Sequence, residues 1–73
     1  MIDLEKMSTE ELEKRLIRLK ENLEDIEEER SFVLGQRGIH LSSSLVEKYQ
    51  IEINDINESI NEVEEVLRRK RAN

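Results

Sequence analysis

The residues of this chain that could do chemistry gather in one stretch, Phe32-Val33-Leu34-Gly35-Gln36-Arg37-Gly38-Ile39-His40-Leu41-Ser42-Ser43-Ser44. His40 beside three serines offers the types from which a general base and a nucleophile could be built. The constellation goes no further, because no carboxylate is placed to orient the imidazole and no oxyanion donors can be argued. The serines are better explained as helix caps, and a lone His in a Gly-flanked loop reads as a turn or capping residue. Gly35-Gln36-Arg37-Gly38 lacks the Lys-Ser/Thr ending and the preceding strand of a phosphate loop, so it reads as a turn. With no Cys, no Glu-x-x-His and no His-x-x-x-His, a metal site would have to come from carboxylates alone or from two chains. No catalytic set, cofactor or metal is expected, and enzymes are the class the sequence supports least.

Charge offers more. Arg68-Arg69-Lys70-Arg71 could bind nucleic acid or an acidic partner, or could simply complement a helix C-terminus and the acids facing it. Arg30, Arg37 and His40 could form a small cationic site, or Arg30 could be a polar layer that fixes register. Glu24, Asp25, Glu27, Glu28 and Glu29 form an acidic run with no basic complement across from it. Asn54, Asn57 and Asn61 recur at helical spacing, either solvated or in a polar bundle interface.

The elements that must position these groups follow from apolar spacing. A chain of 73 residues allows one small domain, and such a domain has trouble burying enough surface alone. Composition is 41% charged and 3% aromatic with no Pro, but the charges are mixed in sign and the apolar residues regular, which separates it from a disordered segment. There is neither an apolar run long enough to span a membrane nor a basic leader before an apolar core, so a cytoplasmic chain without membrane contact is expected. The net charge of −6 argues against a general nucleic-acid binder.

Residues 1–8 read as an N-terminal arm and cap. Ser8 and Glu11 form a capping box, with Met7 and Leu12 placed as a hydrophobic staple, so a first helix is expected over 9–34. Its apolar seam is Leu12, Leu16, Leu19, Leu23, Ile26 and Val33, with Arg30 standing in it. Gly35 follows where a left-handed C-cap would need it. After a loop over 35–43, Ser44 and Glu47 repeat the capping box and a second helix is expected over 44–71, with seam Val46, Tyr49, Ile53, Ile56, Ile60, Val63 and Leu67.

The two seams are mirror images: folding back pairs Leu12 with Leu67, Leu16 with Val63, Leu19 with Ile60, Leu23 with Ile56, Ile26 with Ile53, Arg30 with Tyr49 and Val33 with Val46. Each helix would be on the order of 39 Å long at 1.5 Å per residue. The fold expected is all-α, an antiparallel two-helix coiled-coil hairpin dimerising into a four-helix bundle. The same pairing sets Glu10, Glu11 and Glu13 beside Arg68 to Arg71, and Lys14, Arg15, Arg18 and Lys20 beside Glu62, Glu64 and Glu65. Ile17 and Val66 fall outside the seam, away from the apolar residues that gather near the tip.

This capped, loop-linked pair of heptad helices is similar in layout to the Rop-type hairpins, which dimerise into an antiparallel four-helix bundle and bind RNA. The resemblance implies dimerisation. Leu41-Ser42-Ser43-Ser44-Leu45 does not match the Ser-Gln-x-Leu-Asp signature of small sporulation-type phosphatase hairpins, since Gln and Asp are both absent. The function expected is a non-enzymatic protein–protein interaction module, a small regulator or scaffold. It would self-associate and dock an unidentified protein partner through the acidic flank or an apolar tip of Phe32, Leu34, Arg37, Ile39, His40 and Leu41. The alternatives are a Rop-like nucleic-acid-binding dimer using Arg68, Arg69, Lys70 and Arg71, or an acidic decoy that inhibits a DNA-binding protein.

Overall fold

The computed structural model of the chain describes residues 3–35 and 43–72. It is an all-α hairpin of two long helices, α1 (Thr9–Leu34) and α2 (Ser43–Ala72), with one 3-10 turn at Leu4–Lys6 before them. The helices pack along one another in a rod of 54 × 19 × 17 Å. Glu13 meets Arg71 at one end and Glu29 meets Tyr49 towards the other, so they run antiparallel. α2 is one residue longer at each end than the expected span.

Local chemistry explains how α1 begins. Asp3 caps the 3-10 turn by accepting the Glu5 backbone N–H at 3.1 Å. Ser8 Oγ accepts the Glu11 N–H at 3.1 Å and its hydroxyl donates to Glu11 Oε1 at 3.1 Å, which satisfies an otherwise orphaned backbone donor. Met7 closes the staple by packing on the cluster that contains Leu12. The far end of α1 departs from expectation. Gly35 is right-handed, with φ −84° and ψ −7°, and donates its N–H to the Ser31 carbonyl at 2.9 Å. Space rather than handedness explains the glycine, because a Cβ there would stand 2.8 Å from the Ser31 carbonyl oxygen.

The core is uneven along the rod. Leu12, wholly buried, clusters with Val63, Val66 and Leu67, and Leu4, Met7, Leu16 and Leu19 pack around them. Towards the tip Leu23, Ile26, Val33, Ile53 and Ile56 are only half-buried, and Val46 and Arg30 are exposed. Two helices touch along a line, so a seam residue keeps one flank in water unless a third layer covers it. At the base the arm supplies that layer. Val66, although outside the seam, thereby joins the core: Leu4 and Met7 pack against its cluster, and Val66 is 5% exposed. The polar layer at Arg30 is corrected, since Arg30 stays in solvent.

Much surface is left over. The molecule exposes 5862 Å², whereas a compact monomer of 8.7 kDa would expose about 4,700 Å². Its radius of gyration is 15.8 Å, against about 11 Å for a compact domain of this length.

Candidate functional site

At the distal end α1 carries Phe32, 69% exposed, and Leu34, half-buried. Residues two apart on a helix point about 200° apart, so the structure does not join these two into one apolar patch. Arg37, Ile39, His40 and Leu41, expected to share this tip, lie outside the described residues.

The acidic run forms a ridge below the tip. Glu24, Asp25, Glu27, Glu28 and Glu29 are all exposed, and Glu24, Glu27 and Glu28 border a groove floored by Leu23, with Lys20 and Ser31 at its ends. No ion pair neutralises this ridge among the described residues. Among the described residues Glu29 alone is engaged across the hairpin: the Tyr49 hydroxyl donates to its Oε1 at 3.2 Å. Tyr49 therefore pairs with a carboxylate, where the sequence set it against the Arg30 guanidinium. The buried ring and long arginine stem need not share a layer, because exposed Arg30 keeps its hydration.

The Tyr49 phenol is pushed above its ordinary range, first by desolvation, then by its hydrogen bond to Glu29 and by the charges of Glu29 and Glu52. A raised folded-state value means that the folded chain holds this proton more tightly than the unfolded chain. The associated stability is whole below about pH 10 and is lost as pH rises through the folded-state value. Tyr49 is the only tyrosine, so phenolate absorbance reads it directly. Titration is expected to run to higher pH in the folded protein than in urea, and Glu29→Gln is expected to bring the two curves closer.

The basic run at the base is largely engaged. Arg69 pairs with Glu5 at 2.7 Å, the Lys70 ammonium donates to the Glu5 backbone carbonyl at 2.9 Å, and Arg71 pairs with Glu13. These exposed contacts contribute roughly 0–1 kcal/mol each and chiefly pin the arm and the hairpin register. Arg68 is exposed and borders a groove with Leu16, Glu64, Leu67 and Ala72. The sequence matched acids of α1 to this run and did not include Glu5, because the fold of a seven-residue arm carries no periodic signal.

The other expected charge set is not joined as predicted. Lys14 pairs with Glu10 on its own helix at 3.5 Å, and no ion pair links Lys14, Arg15, Arg18 or Lys20 to Glu62, Glu64 or Glu65 among the described residues. Arg15 and Glu62 do border one cleft, with Leu4, Ser59 and Val63, where Arg15 Nε is buried without a hydrogen-bond partner. Among the described residues no three His, Asp or Glu side chains are grouped to hold a metal ion, and no helix is long and apolar enough to cross a membrane. Comparison with protein-family models, curated proteins and solved structures finds no match to this chain.

Proposed function

We propose that the protein is a non-enzymatic protein–protein interaction module, a helical hairpin that self-associates into a four-helix bundle and docks a protein partner as a small cytoplasmic regulator or scaffold. The observation that carries this reading is surface left uncovered. The seam beyond Leu19 is half open, Phe32 stands in solvent, and no ion pair engages the acidic ridge among the described residues. Single exposed apolar residues are ordinary, whereas an open seam with a charged rim has the composition of a contact surface. The nucleic-acid reading has less support, because Arg69, Lys70 and Arg71 already meet Glu5 and Glu13.

Sedimentation equilibrium of Leu23→Ala and Ile53→Ala, both in the half-open part of the seam, with far-UV circular dichroism as the control for folding, tests the reading. Truncating a residue central to an interface raises Kd by about tenfold or more. Weaker association with helix content retained is the expected result, and unchanged association in both variants would overturn it.

A further inference from the structure

Among the described residues the arm lies against one flank of the hairpin. On that side Leu4 shares a cleft with Arg15, Ser59, Glu62 and Val63. On the opposite flank, open among the described residues, Leu16 of α1 meets Glu64, Leu67 and Arg68 of α2 across a groove, and a second groove, floored by Leu23, lies farther towards the tip. Exposed residues border the open flank as two stripes at alternating spacings of four and three, the spacing that holds one face of a helix. α2 contributes Glu47, Gln50, Asn54, Asn57, Asn61 and Glu64, followed by Arg68; α1 contributes Ile17, Lys20, Glu24 and Glu27.

We infer that this open flank binds a second copy of the same hairpin, antiparallel, about a two-fold axis that passes Asn57. The inference deepens the self-association in the proposed function and rests on it. The α2 stripe and the centre of the α1 stripe complement themselves when reversed. On α2, Asn57 meets Asn57 of the second copy, Asn54 meets its Asn61, Gln50 its Glu64 and Glu47 its Arg68, while Ile53 comes beside its Ile60. On α1, Lys20 meets Glu24 of the second copy, twice by symmetry. These pairings centre on Asn22 in α1 and Asn57 in α2, neighbours of the matched seam residues Leu23 and Ile56, so one axis serves both helices.

Area and charge agree with that occupant. Taken over the whole rod, the surface surplus is about 1,100 Å², more than the roughly 800 Å² per partner that a stable interface removes. The antiparallel arrangement also sets each acidic ridge away from the other, whereas a parallel one would bring both ridges to the same end. Paired asparagine amides each donate and accept, so this row holds register without an unpaired charge. Gln50 already donates to Asn54 Oδ1 at 2.9 Å, which leaves the Asn54 amide hydrogens free to be given across the interface.

The chain has no cysteine, so single exposed cysteines report the geometry. A disulfide needs Cα atoms within about 7 Å. Asn57→Cys is expected to form a disulfide dimer under mild oxidation about tenfold or more faster than Asn54→Cys, Asn61→Cys or the off-stripe control Lys48→Cys, while an equal mixture of Asn54→Cys and Asn61→Cys links heterotypically. In parallel, Lys20→Glu and Glu24→Lys are each expected to raise the dimer Kd about tenfold at low salt, and the charge-swapped double variant to restore it. Native protein that sediments as a monomer throughout overturns both this inference and self-association. A native dimer in which Asn57→Cys links no faster than Lys48→Cys, or which tolerates both charge reversals, overturns this face and axis alone.

Discussion

Leu12→Ala is expected to cost about 2–5 kcal/mol, the range for removing a buried leucine and leaving its cavity. A chain of this size has a total stability of only about 4–11 kcal/mol, so the variant loses a large share of it. Thermal unfolding followed by circular dichroism at fixed concentration should show a fall on the order of 10–30 °C. The comparison that gives this meaning is Ile26→Ala. Leu12 and Ile26 hold equivalent seam positions, but Leu12 is wholly buried against Val63, Val66 and Leu67, while Ile26 is half-buried and lies farther along the rod. At concentrations where the hairpin is monomeric its truncation removes fewer contacts and exposes a surface that water already reaches, so a cost below about 2 kcal/mol is expected. Equal melting temperatures for the two variants would show that the core is not concentrated at the base.

The second large effect belongs to the arm. Leu4→Ala with Met7→Ala is expected to cost about 2–4 kcal/mol together, because both side chains pack on the buried cluster and each loses buried methylenes at roughly 0.8 kcal/mol apiece. The urea midpoint should fall with little change in its slope, since helix content and the surface exposed on unfolding stay similar. Phe32→Ala is the contrast: Phe32 is larger than either residue, but it stands in solvent, and its loss should leave the midpoint within about 0.5 kcal/mol of native. A double variant as stable as the native protein would mean that the arm covers nothing of consequence. The arm also receives Arg69 and Lys70 through Glu5, yet those contacts are exposed. Glu5→Gln alone should therefore shift stability far less than the two apolar changes.

Helix, hairpin and seam were legible because each has a repeating or capped signature. Ser8 and Glu11 mark where α1 begins, and the alternation of three and four that places Leu12, Leu16, Leu19 and Leu23 on one stripe is a property of helical pitch. The buried residues Tyr49, Ile60, Val63 and Leu67 all fall on the second stripe. The candidate site was only partly legible. The acidic ridge stands exposed where the sequence put it, and Phe32 stands free, but Leu34 turns to a different face. Tyr49 took Glu29 in place of Arg30, since a phenol in a half-dry layer needs an acceptor while a guanidinium can reach water.

The amino-acid sequence by itself determined what depends on neighbours a few residues apart: the two helices, the capping of α1 at Ser8, and the stripe that makes each helix one-sided. The tertiary structure decided what depends on a third body. It brought Leu4 and Met7 over Val66, concentrated the core at the base, engaged Arg69 and Lys70 with Glu5, and laid the arm along one flank of the hairpin. Periodicity states which face of a helix is apolar. How deeply each residue of that face is buried depends on what crosses it, and a short aperiodic arm reveals its position only once it has packed.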